Sequence, residues 1–123
     1  MIFDTNIIIA LLANEESVVR TVSEWKMRGM LFFIPTVVEA EVLSFSKMTA
    51  AERAGTERFV EEHFISVPCD RSIARLAGRI RANVRIHLPD AVIAASALTA
   101  HVPLVTRNTH DFKNVPGLSI AEL

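Results

Sequence analysis

A single cysteine, Cys69, leaves no partner for an intrachain disulfide and no cluster for a structural zinc, as suits a reducing cytoplasm. The simplest role for Cys69 is a small filler residue. Charge of one sign is also missing. Lys and Arg number 13 against 14 Asp and Glu, a formal net charge of -1, so no global field draws the chain to nucleic acid and any such contact has to be a local patch. No long hydrophobic run is present: Ala91 to Ala100 is broken by Ser96 and Thr99 and is too short to span a bilayer. The opening residues lack the basic segment and apolar stretch of a signal peptide, so a soluble cytoplasmic protein with no membrane partner is expected. Repeats, low-complexity segments, linkers, a glycine-rich phosphate loop and a G-x-S-x-G turn are absent too. His63, His87, His101 and His110 show no zinc-ligand spacing.

What is present is 123 residues, half of them hydrophobic, which predicts one domain over 1–123 with a proper core and apolar surface left over for a protein partner. Short β-rich runs alternate with longer helical ones. The strands are expected at Ile2–Phe3, Leu31–Ile34, Phe64–Val67, Leu104–Thr106 and Leu118–Ile120, the last four bounded by Gly or Pro. Between them lie segments long enough for one or two helices each, the pattern of βα units around a parallel sheet.

Four acidic residues stand at strand exits or on apolar faces. Asp4 follows the first strand, where ligands of open α/β sheets bind. In a helix from Thr36 to Ser46, Glu41 falls in one arc with Val37, Val38, Val42 and Phe45, which predicts a carboxylate away from bulk solvent, while Glu39 lies toward the edge of that face. A buried arginine partner would also explain Glu41. Asp90 is the one charge on a helix running from Leu88 through Leu98, apolar almost all round and hence central; helix-dipole stabilisation would equally place an aspartate in that first turn. After the strand ending at Thr106, a polar loop brings Asn108 and Asp111 to the same sheet edge as Asp4, although an ordinary Asx-turn has the same composition.

Four carboxylates converging in one pocket would repel and hold some protons at neutral pH unless a cation balances them. Mg²⁺ or Mn²⁺, which favour oxygen ligands, would serve, and such a site suits phosphodiester hydrolysis by an activated water. The helix from about Ser72 to Val84 adds the one concentrated basic face: Arg71, Arg75, Arg79, Arg81 and Arg85 lie opposite Ile73, Leu76, Ala77, Ile80 and Val84. It is read either as a solvated face paired with nearby acids or as a contact to an RNA backbone, with Arg75 and Arg79 as the contacting residues. His110, beside Asp111, is either exposed or in touch with substrate.

The segments MIFDTN, TVVEAEVLSF, LPDAVIAASAL and LVTRNTHDF, in that order, resemble the PIN domain, and within it the VapC-type toxins of toxin-antitoxin pairs. The resemblance covers essentially the whole chain. It implies a three-layer α/β/α sandwich with a central parallel sheet and Mg²⁺- or Mn²⁺-dependent endoribonuclease activity. It implies Asp4, Glu41, Asp90 and Asp111 as the catalytic, metal-holding acids, with Asn6, Thr106 and Asn108 in support. A homodimer and a cognate antitoxin laid across an apolar groove near the site are implied as well. Two other readings stand beside it. A non-catalytic PIN-like module would bind RNA or protein without needing all four acids. A haloacid-dehalogenase-like phosphatase would need a second aspartate where Asn6 stands.

Overall fold

The computed structural model describes residues 1–123. In chain order the elements are β1 (Ile2–Phe3), α1 (Thr5–Leu12), α2 (Glu16–Met27), β2 (Phe33–Pro35), α3 (Thr36–Val42), α4 (Ala50–His63), β3 (Ile65–Val67), α5 (Arg71–Asn83), α6 (Leu88–Ala100), β4 (Leu104–Val105), α7 (Thr109–Phe112) and β5 (Ile120–Ala121). All strand pairs are parallel, in the order β3-β2-β1-β4-β5. Helices covering both faces of this sheet complete the three-layer α/β/α sandwich. The chain leaves β1 toward β2 on one side and leaves β4 toward β5 on the other. The crevice between the exits of β1 and β4 is therefore the switch point of the sheet, where such folds bind ligands.

The elements follow from local chemistry. Thr49 and Glu52 close a reciprocal capping box at the start of α4, and the Asp70 side chain caps α5 by accepting from the Ile73 amide at 2.9 Å. α6 opens on Leu88-Pro89, where the missing proline N–H is harmless. It is the central helix that its composition predicts: Ala91, Ile93, Ala94, Ala95, Ser96 and Ala97 are all buried. Its alanines let α5 pack along it more extensively than any other pair of helices, and the Ser96 hydroxyl is satisfied by the Val92 carbonyl at 2.7 Å. Under the sheet, the Phe3 ring meets Phe32 and Phe64 edge-on at 5.0 and 5.3 Å, and Phe59 of α4 closes that cluster. No helix is long and apolar enough to cross a membrane.

The strands are shorter than their composition predicts. β2 begins at Phe33 because Leu31 lies outside the ladder, its carbonyl taking the N-terminal ammonium of Met1 at 3.0 Å; the Phe33 amide then donates to the Met1 carbonyl. β4 stops at Val105 because Thr106 turns its hydroxyl to other work, described below. β5 is Ile120–Ala121 rather than Leu118–Ile120, since Gly117 sits at φ +77 in a turn that delays pairing until Ser119. Cys69 is exposed, not a core filler: it lies between Pro68 and the cap of α5, with its amide tied to the Thr36 hydroxyl.

Candidate metal centre

Asp4 is the best-held of the four acids. Hydrophobic Ile2 and Phe3 are fully buried, so the next residue emerges at the sheet edge, and Asp4 is itself only 5% exposed. Its amide continues the ladder to the Val105 carbonyl, and its own carbonyl starts α1 by accepting from Ile7 and Ile8. The carboxylate accepts at Oδ1 from the Thr5 amide, 2.7 Å, and at Oδ2 from the Thr106 hydroxyl, 2.6 Å, and Asn6 Nδ2, 3.1 Å. One side chain thus caps a helix, ties β1 to β4 and presents its charge at the switch point.

Thr106, Asn6 and Asn108 form the support. The Thr106 hydroxyl accepts from the Asn108 amide at 2.9 Å while donating to Asp4, and Asn6 Oδ1 accepts from the Arg107 amide at 3.3 Å. Asn108 in turn donates from Nδ2 to Asp111 Oδ2 at 2.6 Å, which orients the half-buried Asp111 carboxylate at the start of α7. Thr106 and Asn108 thus hold the two aspartates, while the Arg107 backbone ties in Asn6.

Glu41 differs from expectation. α3 ends at Val42 rather than Ser46, and Glu41 is exposed. The apolar arc predicted for this helix splits: Val38 and Val42 enter the core, whereas Phe45 is 63% exposed beyond the helix end. Glu41 therefore faces an open groove rather than packed side chains. It is still directed toward Asp4, because the Thr5 hydroxyl donates to Glu41 Oε1 at 2.8 Å. Thr5 was not a sequence candidate; its signal is a hydroxyl at the first helical position, one residue past the aspartate.

Asp90, in the first turn of α6, takes no hydrogen bond from the protein. Its pKa is raised from 3.8 to about 6, by burial first and then by the charges of Asp4, Asp111 and Glu41, against a smaller lowering by His87. Asp4, Asp111 and Glu41 thus all lie within electrostatic reach of Asp90. They do not close into a ready-made cage: no three His, Cys, Asp or Glu side chains are grouped as ligands of one ion.

The raised pKa has a stability consequence. In metal-free buffer Asp90 favours folding while protonated, and that contribution is lost as pH rises from about 4 through about 6. Asp90→Asn removes the loss. Its melting temperature should match wild type near pH 4 and exceed it above pH 6.5, by on the order of 1 kcal/mol after allowance for solvent screening, or about 3–5 °C. Thermal melts from pH 4 to 8 in EDTA test this, and a difference that does not change with pH would refute it.

The basic face of α5 is exposed, as its pattern predicts. None of its arginines pairs with an acid, since the only ion pairs are Arg20–Glu16 and Arg107–Glu15. Arg75 and Arg79 sit outside the carboxylate cluster, whereas Arg81 and Arg85 line a cleft with His87, His110 and Asp111. The Arg107–Glu15 pair, unmarked in the sequence, ties the loop after β4 to the start of α2; each partner holds the other in its charged form. On the other side of the site, Ile9, Leu12, Val42, Phe45 and Met48 line an apolar groove of about 510 Å³ that Glu41 borders.

The PIN domain family model matches residues 1–118. A ribonuclease VapC of Rickettsia bellii is 28% identical over 129 residues, covering 98% of this chain and 93% of that protein. Among solved structures, a toxin-antitoxin complex from Klebsiella pneumoniae contains a chain 28% identical, with TM-score 0.80 over 99% of this chain and 98% of that one. VapBC2 from Rickettsia felis, bound to a DNA fragment from its promoter, shares the fold at TM-score 0.84 and 19% identity, over 100% of this chain and 99% of that one.

Proposed function

Since the chain belongs to the PIN domain family, we propose that it is a divalent-metal-dependent endoribonuclease of the VapC kind, the toxin of a toxin-antitoxin pair acting in the cytoplasm. The observation that carries the reading is the convergence at the switch point. Asp4 is pinned at the exit of β1, and burial together with the charges of Asp4, Asp111 and Glu41 raises the pKa of Asp90 to about 6.

The residues that would hold the metal are Asp4, Glu41, Asp90 and Asp111. An all-oxygen donor set without cysteine or histidine fits Mg²⁺ or Mn²⁺, and an open arrangement suits ions that keep several waters. When bound, the ion supplies charge to offset the phosphoryl oxygens and lowers the pKa of a water near the scissile phosphate. The protein's share is positional: Thr106 and Asn6 fix Asp4, Asn108 fixes Asp111, and Thr5 turns Glu41 toward them. Water is the nucleophile, so the products carry 5′-phosphate and 3′-hydroxyl ends. Arg75 and Arg79 contribute outer contacts to the RNA backbone. The apolar groove beside Glu41 receives a segment of the antitoxin, and the toxin is a homodimer.

The deciding experiment is cleavage of single-stranded and structured RNAs by purified protein with Mn²⁺, beside EDTA and Asp90→Asn controls. Cleavage lost in both controls is expected. RNA with a 2′-O-methyl sugar at the cut should still be hydrolysed, and cyclic phosphate products would refute the water mechanism. Cleavage that persists in EDTA and in Asp90→Asn would refute the metal mechanism, and RNA binding without cleavage across the RNA set would favour the non-catalytic module.

A further inference from the structure

We propose that the cleft between the α5–α6 junction and α7, lined by Arg81, Arg85, Ile86, His87, His110 and Asp111, seats the RNA phosphate that adjoins the one being cut. The inference rests on the nuclease reading and names where its substrate lies.

Position is the first support. The cleft, about 470 Å³, shares Asp111 with the carboxylate cluster, and His87 is the cap of the helix that carries Asp90. A strand whose scissile phosphate reached the carboxylates would continue past this wall. The volume lies in the range of small-ligand sites, and a single apolar residue, Ile86, lines it, so the cleft suits a charged group rather than an apolar side chain.

Charge is the second. A polyanion approaching four carboxylates meets repulsion, and this wall sets two arginines in the same cleft as Asp111 to offset it. Neither has an acidic partner in the fold. Arg81 donates from Nε to the Ile86 carbonyl at 3.0 Å, which lays its side chain along the wall while its terminal nitrogens have no partner in the protein. Arg85 is exposed and unbonded. A guanidinium fixed at one nitrogen and open at the others matches phosphate geometry. Arg75 and Arg79 belong to an earlier stretch of α5 and line no part of this cleft.

Arg85 is the residue to vary, because it has no bond whose loss would disturb folding. In the metal-loaded enzyme, Arg85→Ala should raise KM for single-stranded RNA about tenfold with kcat within about twofold, and lower the salt slope of binding by about one. Arg85→Lys should recover most of the loss, and Arg58→Glu, on exposed α4, should change neither constant. A probe independent of cleavage is adenosine 5′-monophosphate added to metal-free protein and followed by amide NMR. Shifts at Arg85, His87 and His110 that vanish in Arg85→Ala support the seat. An unchanged KM and salt slope in Arg85→Ala, or nucleotide shifts that fall elsewhere or nowhere, would overturn it. Failure of the wild type to cut any RNA would remove the nuclease reading instead, and the nucleotide titration would still judge the cleft.

Discussion

Asp4→Asn is expected to cut Mn²⁺-dependent RNA cleavage by at least about 10²–10³-fold while leaving the chain folded, because it removes the charge that three hydrogen bonds aim at the switch point. An asparagine keeps one acceptor oxygen for the Thr5 amide, so the cap on α1 survives and stability should fall by no more than about 1 kcal/mol. The other position becomes an NH₂ group facing the NH₂ of Asn6, two donors with nothing between them. The substitution thus loosens the support as well as the charge. Glu41→Gln separates the two effects: Glu41 is exposed and bonded only to the Thr5 hydroxyl, so activity should fall with no change in melting temperature. Cleavage rates and circular dichroism melts of the three proteins decide the matter. Wild-type rates in Asp4→Asn would mean that Asp4 serves the fold alone.

Phe3→Ala is expected to be the most destabilising single change near the site, at about 3–5 kcal/mol. The ring is fully buried in the central strand and meets Phe32 and Phe64 edge-on, contacts worth about 0.5–1.5 kcal/mol each beyond the area they bury. For a domain of this size the loss corresponds to a melting temperature lower by roughly 10–20 °C, and it takes a large part of a typical stability of about 5–15 kcal/mol. Any shift of β1 also moves Asp4, the next residue, so folded Phe3→Ala should lose activity out of proportion to its folded fraction. Urea denaturation measures the first effect and cleavage at low temperature the second. A loss below about 1 kcal/mol would show that Phe32 and Phe64 close over the gap.

The sheet and the central helix were legible because they rest on burial patterns that the chain displays directly. Ile2-Phe3, Leu104-Val105 and the alanine-rich α6 are apolar runs with Gly, Pro or Asp at their ends, and their placement follows from handed βα connections. Asp4 was legible for the same reason: it is the first polar residue after a buried strand. Glu41 was misjudged in its surroundings because an apolar arc does not say what it faces; Val38 and Val42 pack inward, while Phe45 borders an open groove. The role of Thr5, the Arg107–Glu15 tie and the cleft at Arg81 and Arg85 join residues far apart in the chain or on different elements, and no periodicity reports such meetings. Cys69 was misplaced because a small residue after proline carries no signal of its burial.

The hydrogen bond from Thr106 to Asp4 joins residues 102 positions apart. During synthesis Asp4 is made 102 residues ahead of Thr106, with Asp111 later still. At about 5–20 residues per second, that leaves several seconds in which a growing chain has β1 and α1 but neither Thr106 nor Asp111. A nascent chain therefore carries Asp4 without the hydroxyl that pins it until β4 and the loop after it have been made. A chain cut short before Thr106 lacks β4, the bond that pins Asp4, and Asp111, so frameshifts and early stops upstream of that residue leave the carboxylate cluster unassembled.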